Sequence, residues 1–244
     1  MDSAREMPYA GRARRAAHPV FLPPDAGGRR HFFRSFVMTA CNPQLNLQGR
    51  GRLKRIVDFL NEAGMLRLTP RTGYQFLGTG NENVAEHSFR TAIIGYVLAR
   101  MAGADPSRTA MLCLFHDFHE ARIGDFNYVN RIYNTSKPRD AVVHAAEGTG
   151  LEVDMLEFWD DLEASQTPEA QLAHDADQLD LILNLKRELD LGNKYAGKWM
   201  ESALERLRTE EGRELAQTIA ETDHTDWWFL GPDRAWWERK NGKE

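Results

Sequence analysis

Cysteine is scarce in this chain of 244 residues, which holds only Cys41 and Cys113. The two are far apart and form no CxxC pair, so the sequence supplies neither a disulfide framework nor a thiolate zinc site. Long apolar runs are lacking as well. None approaches the length of a membrane span, and the first residues lack the apolar stretch of a signal peptide. We therefore expect free thiols, a cytoplasmic location and no membrane contact.

A strong net charge is also missing, because the whole chain carries only −5 at pH 7. The first 50 residues hold eight arginines against three acidic residues, a local charge of +5, which leaves −10 for the remainder. An acidic body argues against a nucleic-acid partner. Residues 1–48 contain several Pro and Gly without a clear period, so they are predicted to be a flexible basic extension.

Beyond residue 48, apolar residues recur at spacings of three and four, which is typical of α-helices. The length and composition favour one domain with a single core over residues 49–222. The pattern thus predicts an all-α helical bundle, with helices over residues 52–65, 84–101, 107–117, 139–149, 152–163, 168–190 and 195–219. An aromatic and amide-rich stretch, residues 126–134, has no period and is expected to form a loop over a site.

Apolar stripes mark one face of the first two predicted helices, and the second of these helices is expected to be mostly core-facing. The stripes include Leu53, Val57, Leu60, Phe89, Ile93, Tyr96 and Val97. The last segment, residues 223–244, is a tail with four of the six tryptophans. So much aromatic surface has to be buried against the domain or against a second subunit, and the second arrangement is a homodimer.

Four ionisable side chains stand out as candidate metal ligands, namely His87, the adjacent pair His116 and Asp117, and Asp177. They lie on three predicted helices and supply two imidazoles and two carboxylates. Such a mixed nitrogen and oxygen set suits one octahedral divalent transition ion, such as Mn, Co, Fe, Ni or Zn, with positions left for water and substrate.

Asp177 shares a strongly apolar helix with two further aspartates, Asp175 and Asp180. An uncompensated buried carboxylate is costly, and Asp175 and Asp177 point about 200° apart on a helix, so only one of them can face the core. We expect Asp177 to point inward, and Asp175 and Asp180 to be solvated or to cap a helix.

The helices are interrupted at residues 66–74, where Pro70 and Gly73 predict a loop. Arg71 and Tyr74 in this loop are candidates for substrate contacts, because a guanidinium binds phosphate and an aromatic ring packs on a base or sugar. The alternative for this loop is an ordinary surface arginine and a packing tyrosine.

The ordered pattern H...HD...D resembles the HD-domain superfamily of metal-dependent phosphohydrolases. The likeness covers roughly residues 50–220. It is specific at four segments, namely Asn83-Val84-Ala85-Glu86-His87-Ser88, His116-Asp117-Phe118-His119-Glu120-Ala121, Gly124-Asp125 and Asp175-Ala176-Asp177-Gln178-Leu179-Asp180. Within the superfamily the chain is most similar to the small HD proteins that include bacterial 5'-deoxynucleotidases and their eukaryotic homologues.

This resemblance implies a role for each matched residue. It makes Glu120 and Asp125 catalytic and Arg71 a contact to phosphate or sugar, and it makes metal ligands of His87, His116, Asp117 and Asp177. His119 has no ligand role in it and is expected beside the site or at the surface. The chain departs from the family pattern at Tyr74, where a Trp is usual, and at Gln178, which replaces a familiar Lys.

The residue types fit hydrolysis of a phosphate ester by a metal-activated water. The prediction is a phosphoric monoester hydrolase that acts on (deoxy)nucleoside 5'-monophosphates, with Glu120 serving the water and Asp125 the leaving group, or the reverse. Two alternatives stay open, an HD-type hydrolase of nucleoside triphosphates and a non-catalytic nucleotide-sensing module. Alarmone hydrolysis is disfavoured, because Ala121 follows Glu120 where an acid pair would be required.

Overall fold

The computed structural model describes residues 47–229, and in this part of the chain every regular element is a helix. In chain order these are α1 Leu47–Met65, α2 Tyr74–Leu77, α3 Val84–Ala102, α4 Pro106–Phe115, α5 Glu120–Ile123, α6 Tyr128–Tyr133, α7 Pro138–Ala146, α8 Glu152–Ala164, α9 Pro168–Asp190, α10 Tyr195–Leu204, α11 Glu210–Glu221 and α12 Asp226–Phe229. The only β-type pairing in this range is an isolated bridge between Pro70 and Asn83. The predicted all-α class is confirmed.

Local sequence signals explain where the principal helices begin and end. The Asn83 side chain accepts from the Glu86 N–H, and the Glu86 carboxylate accepts from the Asn83 N–H, which completes a capping box at the start of α3. Gly103 ends α3 in the left-handed conformation. Asp105 then caps α4, with Pro106 at the first helical position. These boundaries agree with the predicted ones.

Helix α9 lies at the centre of the bundle and packs against α3, α4, α10 and α11. Its buried side chains form the main core with residues of those neighbours, including Leu98, Leu112, Leu179, Ile182 and Leu185. A second buried cluster, with Phe59, Val84, Phe118, Val142 and Met155, joins α1, α7 and α8 to the start of α3. These two clusters hold together the start of α3, the end of α4 and the middle of α9.

The apolar stripe of α3 does not face the core as predicted. Phe89, Ile93, Tyr96 and Val97 are exposed, while the opposite face is buried and mixes large apolar residues such as Leu98 with small and polar ones. Gly95 shows why this face turns inward, because a Cβ at this position would lie 2.4 Å from the Cys113 sulfur of α4. The glycine permits the close approach of the two helices, and the same face also holds the polar groups of a site.

Helix α1 departs from its apolar stripe in the same way. Leu53, Val57 and Leu60 are exposed, and Phe59 is the buried residue, stacked on Phe118 with ring centroids 4.7 Å apart. The apolar period thus located the helix, but only packing against Phe118 decided which side turned inward.

Two further boundaries differ from the predictions. The expected single helix over residues 195–219 is two helices, α10 and α11, because residues 205–209 turn to bring the start of α11 onto Asp175. The expected loop over residues 126–134 contains the short helix α6, capped by Asn127.

Trp227 and Trp228, at the start of the tail, are not buried. The rings of Trp227 and Trp228 stack on each other at 5.5 Å, yet the residues remain 77% and 54% exposed. The predicted extension over residues 1–48 falls almost wholly outside the described residues, and so does the tail beyond residue 229. Among residues 47–229, no helix combines the length and apolar character needed to cross a bilayer.

Candidate metal centre and active site

The four candidate ligands converge on one point between α3, α4 and α9. His87 Nε2 lies 3.1 Å from His116 Nε2 and 3.1 Å from Asp177 Oδ1. Asp117 Oδ2 lies 3.0 Å from His116 Nε2 and 3.6 Å from His87 Nε2. Ligand atoms that share an ion at about 2.0 to 2.2 Å are roughly 3 Å apart, so these side chains fit a divalent transition ion.

The charges around this point favour a cation. Burial and Arg71 act against a charge on His87, but hydrogen bonds to Asp177 and Asp180 outweigh them and raise its pKa to about 10. Burial would raise the pKa of Asp177, yet the His87 and His116 rings and Arg71 hold it far below its usual range. The raised pKa of His87 reflects the carboxylates around it, and the lowered pKa of Asp177 reflects the cationic groups around it. The carboxylates of Asp117 and Asp177, which stay ionised, supply negative charge for a divalent cation.

Each imidazole is oriented by a partner on its other nitrogen. His87 Nδ1 lies 2.7 Å from Asp180 Oδ2, and His116 Nδ1 donates to the Cys113 carbonyl at 2.6 Å. Both Nε2 atoms are thereby directed to the common point. The expectation that Asp180 is solvated or caps a helix is wrong, since it is fully buried and is held in turn by Arg90.

Asp175 is buried as well, but in another role. Its carboxylate accepts from the N–H groups of Arg208 and Thr209 and from the Thr209 hydroxyl, at the start of α11. Burial would raise its pKa, but these bonds and one from His174 lower it. The predicted capping role is therefore correct, whereas the predicted exposure to solvent is not.

Arg71 reaches the centre from the loop before α2. Its Nη1 donates to Asp117 Oδ2 at 3.0 Å, and its Nη2 lies 3.8 Å from Asp177 Oδ1. The loop is fixed by Asp125, whose Oδ2 accepts from the Thr72 N–H at 2.8 Å. The structure thus places Asp125 where it positions Arg71, besides lining the adjoining cavity.

Glu120 starts α5 and is almost fully buried, with 4% of its surface exposed. Its Oε2 has no hydrogen-bond partner among the described residues. Burial, together with the carboxylates of Asp117 and Asp125, raises the pKa of Glu120 to about 9. Perturbed, unpartnered carboxyl groups of this kind are typical of proton transfer sites.

Two cavities open onto the centre, and Asp117 and Asp177 line both. Arg71 and Tyr74 line the first cavity. Its further side chains are largely aromatic or carry amides and include Phe126, Tyr128, Gln178, Asn184 and Trp199. The second cavity contains Glu120 and Glu163 together with His119, His174 and Arg208, and Arg131 lines both cavities. The centre therefore lies where an aromatic cavity meets one lined by acidic and basic side chains.

Some residues of the site were missed by sequence reasoning. Trp199 of α10 enters the first cavity, packed so closely on Gly73 that a Cβ there would lie 2.7 Å from the ring. Asn184 Nδ2 donates to both carboxylate oxygens of Glu82, at 3.0 and 3.1 Å, on the wall of the same cavity. His119, expected beside the site or at the surface, contacts the edge of Trp159 and lines the second cavity. Of these residues, only Asn184 could have been predicted from the sequence, because it lies seven residues after Asp177 on the same helix face.

Comparison with known proteins places this site in a family. A model of the HD domain matches residues 63–219, which include all four candidate ligands. The chain belongs to the HD domain family. The predicted HD resemblance and helical fold are confirmed.

Several relatives of this HD protein are named as 5'-deoxynucleotidases. It is 26% identical to the 5'-deoxynucleotidase HDDC2 of Danio rerio over 148 residues, covering 58% of this chain and 74% of the relative. It is 29% identical to the 5'-deoxynucleotidase VP0926 of Vibrio parahaemolyticus over 156 residues, covering 57% of this chain and 80% of the relative. These likenesses support the predicted enzyme class, an HD-domain phosphohydrolase.

Solved structures share the fold. A conserved hypothetical protein from Pyrococcus furiosus superposes with a TM-score of 0.58 at 26% identity, covering 68% of this HD protein and 99% of that chain. A protein from Magnetospirillum magnetotacticum MS-1, described as a predicted metal-dependent phosphohydrolase, gives a TM-score of 0.56 at 23% identity, covering 70% and 94%. The second likeness bears on the fold alone.

Proposed function

We propose that this HD protein is a 5'-deoxynucleotidase, which hydrolyses deoxynucleoside 5'-monophosphates to a nucleoside and orthophosphate. One observation carries the proposal: Arg71 lines one cavity and Glu120 the other, while Asp117 and Asp177 line both. Arg71 then reaches a phosphate held at the centre from one side, and Glu120, as the proton acceptor, reaches it from the other. The names of the relatives supply the substrate class.

His87, His116, Asp117 and Asp177 would hold one divalent transition ion, which supplies Lewis-acid assistance to the phosphate and to the attacking water when bound. Arg71 contributes binding. Its guanidinium already spans the Asp117 and Asp177 carboxylates, and the same fork of N–H donors fits two phosphate oxygens.

Glu120 is assigned to the proton of the attacking water. Its free Oε2 is buried beside the centre. The raised pKa of Glu120 means that the ionised carboxylate takes up a proton readily, and a cation bound at the centre would favour that ionised form. Asp125 is assigned to the leaving oxygen, and its bond to the Thr72 N–H holds it on the Arg71 side. The first cavity offers Tyr74 and Trp199 as packing surfaces for the base or the deoxyribose.

Hydrolysis of nucleoside triphosphates is the second candidate, because a specific observation favours it. The second cavity carries Arg208 and His174 beyond Glu120, and Arg131 lies where the two cavities meet, so these groups suit further phosphates of a longer chain. A sensing module without turnover has less support, since binding alone requires no buried proton acceptor at Glu120. The cytoplasmic location remains a prediction.

Product analysis separates these candidates. The full chain is incubated with deoxy- and ribonucleoside mono- and triphosphates and with added Mn, Co, Zn or Mg, beside Asp117→Ala, Glu120→Gln and the exposed control Glu205→Gln. Orthophosphate from the monophosphates, lost in the two site variants and retained in the control, is the expected result. Tripolyphosphate or pyrophosphate from triphosphates alone would transfer the assignment to the second candidate. Metal binding without turnover would support the sensing module.

A further inference from the structure

The first cavity carries a cationic side chain that the proposed chemistry does not use. Arg206, which follows the end of α10, lines this cavity and does not line the second one. Its Nη1 donates to the Tyr128 hydroxyl of α6, and its Nε donates to the Ser202 carbonyl at 3.1 Å. The guanidinium carbon lies 5.8 Å from the centroid of the Tyr128 ring. These contacts hold the side chain at a defined place on the cavity wall.

Part of this guanidinium is left without a partner. Within residues 47–229 the hydrogen bonds of Arg206 are these two, and it pairs with no carboxylate. Nη1 and Nη2 therefore each keep a free N–H group. Arg71 of the same cavity differs, because its guanidinium is engaged by Asp117 and Asp177. A free fork of donors on a fixed side chain fits two acceptors on one planar edge of a ligand.

A series of contacts places Arg206 at the end of the cavity away from the candidate metal centre. Arg71, at the centre, is followed by Gly73, on which the Trp199 ring packs. The Trp199 ring meets the Tyr128 ring edge to face, with centroids 6.2 Å apart, and Tyr128 binds Arg206. A nucleotide with its phosphate at the centre would lay its base against these aromatic rings. The outer edge of the base would then face Arg206.

An arginine fork discriminates among bases by the acceptors that they present. The O6 and N7 atoms of guanine and hypoxanthine are acceptors on one edge, and they form the commonest specific contact of arginine with a base. Adenine carries an amino donor in place of O6, and this donor would face the donors of the guanidinium. In cytosine and thymine the corresponding edge offers a donor or a single acceptor. A 6-oxopurine is therefore the base that best matches the free fork.

We propose that Arg206 determines the base preference of this HD protein by binding the O6 and N7 atoms of a 6-oxopurine. Deoxyguanosine and deoxyinosine 5'-monophosphates are then hydrolysed in preference to deoxyadenosine 5'-monophosphate. The inference rests on the proposed function for the position of the phosphate. Tyr128 is a positioning residue, since its hydroxyl and ring hold the guanidinium at the end of the cavity.

Kinetics with a set of purine nucleotides test the assignment. The substrates are the 5'-monophosphates of deoxyguanosine, deoxyinosine, 7-deazadeoxyguanosine and deoxyadenosine, given to the full chain with added Mn or Co. The 7-deaza compound lacks the N7 acceptor, and the adenine compound lacks O6. The kcat/KM of the deoxyguanosine and deoxyinosine compounds should exceed that of the other two by about 10- to 100-fold, the discrimination expected of one bidentate contact.

Substitutions assign this preference to the guanidinium. Arg206→Met keeps an unbranched side chain on the Tyr128 ring and removes the fork, so all the substrates should react with a similar kcat/KM, through a rise in KM for the 6-oxopurines alone. Arg206→Lys keeps the charge without the fork and should leave a preference of about threefold or less. Arg187→Met, exposed on α9 and outside both cavities, is the matched control and should retain the full preference.

A uniform fall in kcat/KM for every base in Arg206→Met would contradict the proposal, because it would assign Arg206 to the phosphate or the sugar. Equal reaction of all the substrates with the unaltered chain would overturn it. So would a preference that separates deoxyguanosine from deoxyinosine, because these differ only in the 2-amino group. Circular dichroism identifies a variant that fails to fold, and Arg206→Lys decides if Arg206→Met does not fold.

Failure of the proposed function is a separate outcome. If the unaltered chain releases no orthophosphate from any of these nucleotides, that function is wrong. The base preference is then measured as Kd by calorimetry, with metal-loaded Glu120→Gln and the same variants at position 206. Tighter binding of the 6-oxopurines that disappears in Arg206→Met would support the inference, and equal Kd values would overturn it.

Discussion

Asp180 lies directly behind the candidate metal centre, fully buried between His87 and Arg90. Its carboxylate fixes the tautomer and orientation of the His87 ring, so that Nε2 points to the common point of the ligands. A residue in this position acts on the cation only through the ligand that it orients. Its removal should therefore weaken metal binding, while the rate of the reaction at saturating metal should change little.

We predict that Asp180→Asn weakens metal affinity about 10- to 100-fold. Metal titration followed by calorimetry gives the dissociation constant, and kcat at saturating metal gives the remaining activity, which should stay close to that of the unaltered protein. Asp140→Asn, on the exposed surface of α7, is the control and should change neither value. Equal metal affinity in both variants would show that Asp180 does not orient His87.

Arg71 is the side chain whose role depends most on geometry, because its two N–H groups address two acceptors at once. Arg71→Lys keeps the charge and removes the fork. KM for a deoxynucleoside monophosphate should rise by about 10- to 100-fold, which corresponds to about 1.5 to 3 kcal/mol for a charged hydrogen bond. Steady-state kinetics measure it, and Arg67→Lys, at an exposed position, should leave KM unchanged.

At the scale of elements, helix α9 has two roles: it contributes to the candidate metal centre, and it caps the start of α11. Its middle supplies Asp177 to the candidate metal centre and Asp180 to the His87 ring behind it, and Asp175, on another face, accepts three hydrogen bonds from the start of α11. The break between α10 and α11 follows from this contact, since residues 208 and 209 have to turn to donate to a buried carboxylate. The helix boundary is thus set by a side chain more than 30 residues away.

Asp175→Asn should destabilise the fold, because an uncharged amide accepts fewer and weaker bonds from these donors. The free energy of unfolding is expected to fall by about 2 to 3 kcal/mol at neutral pH, as for loss of a buried charged cap. Urea unfolding measures it. Asp154→Asn, exposed on α8, should lie within about 0.5 kcal/mol of the unaltered protein.

The same contact has a defined pH dependence. The pKa of Asp175 is lowered in the folded state from its ordinary value of 3.8. Its contribution is therefore fully present above pH 3.8 and is lost as the pH falls through the lower folded pKa. The stability difference between Asp175→Asn and the unaltered chain should shrink on acidification below that value. A difference that grows in acid would contradict the assignment.

At the scale of the whole molecule, the candidate metal ligands lie at the start of α3, just after the end of α4 and in the middle of α9, so a bound ion would cross-link three helices of the bundle. Ion binding to the folded state alone raises the free energy of unfolding, by about 2.7 kcal/mol at a hundred times Kd. We expect Mn or Co to raise Tm by about 5 to 10 °C and chelation to reverse the change. Asp117→Ala should abolish the shift, whereas Asp154→Ala should keep it.

Several features followed from the sequence because their causes lie within a few residues. Asn83, Glu86 and Gly103 bound α3 by backbone capping, which needs no distant partner. The order and type of His87 and Asp177 carried the family resemblance and indicated a cation, because ligand chemistry belongs to the side chain itself. The outcome for α3 shows the limit of such reasoning. Its apolar stripe located the helix correctly and its buried face wrongly.

The helical class, the main helix boundaries and the candidate ligand types could be predicted from the sequence, since helical period, caps and donor chemistry are local properties. The contact by which Asp180 orients His87 across 93 positions of the chain, and the place of Trp199 in the first cavity, depend on the tertiary structure. So does the choice of the face that α3 buries, which carries His87 and Gly95 and leaves Phe89 exposed. Burial and pairing depend on which elements pack together, and that choice is made by the whole bundle at once.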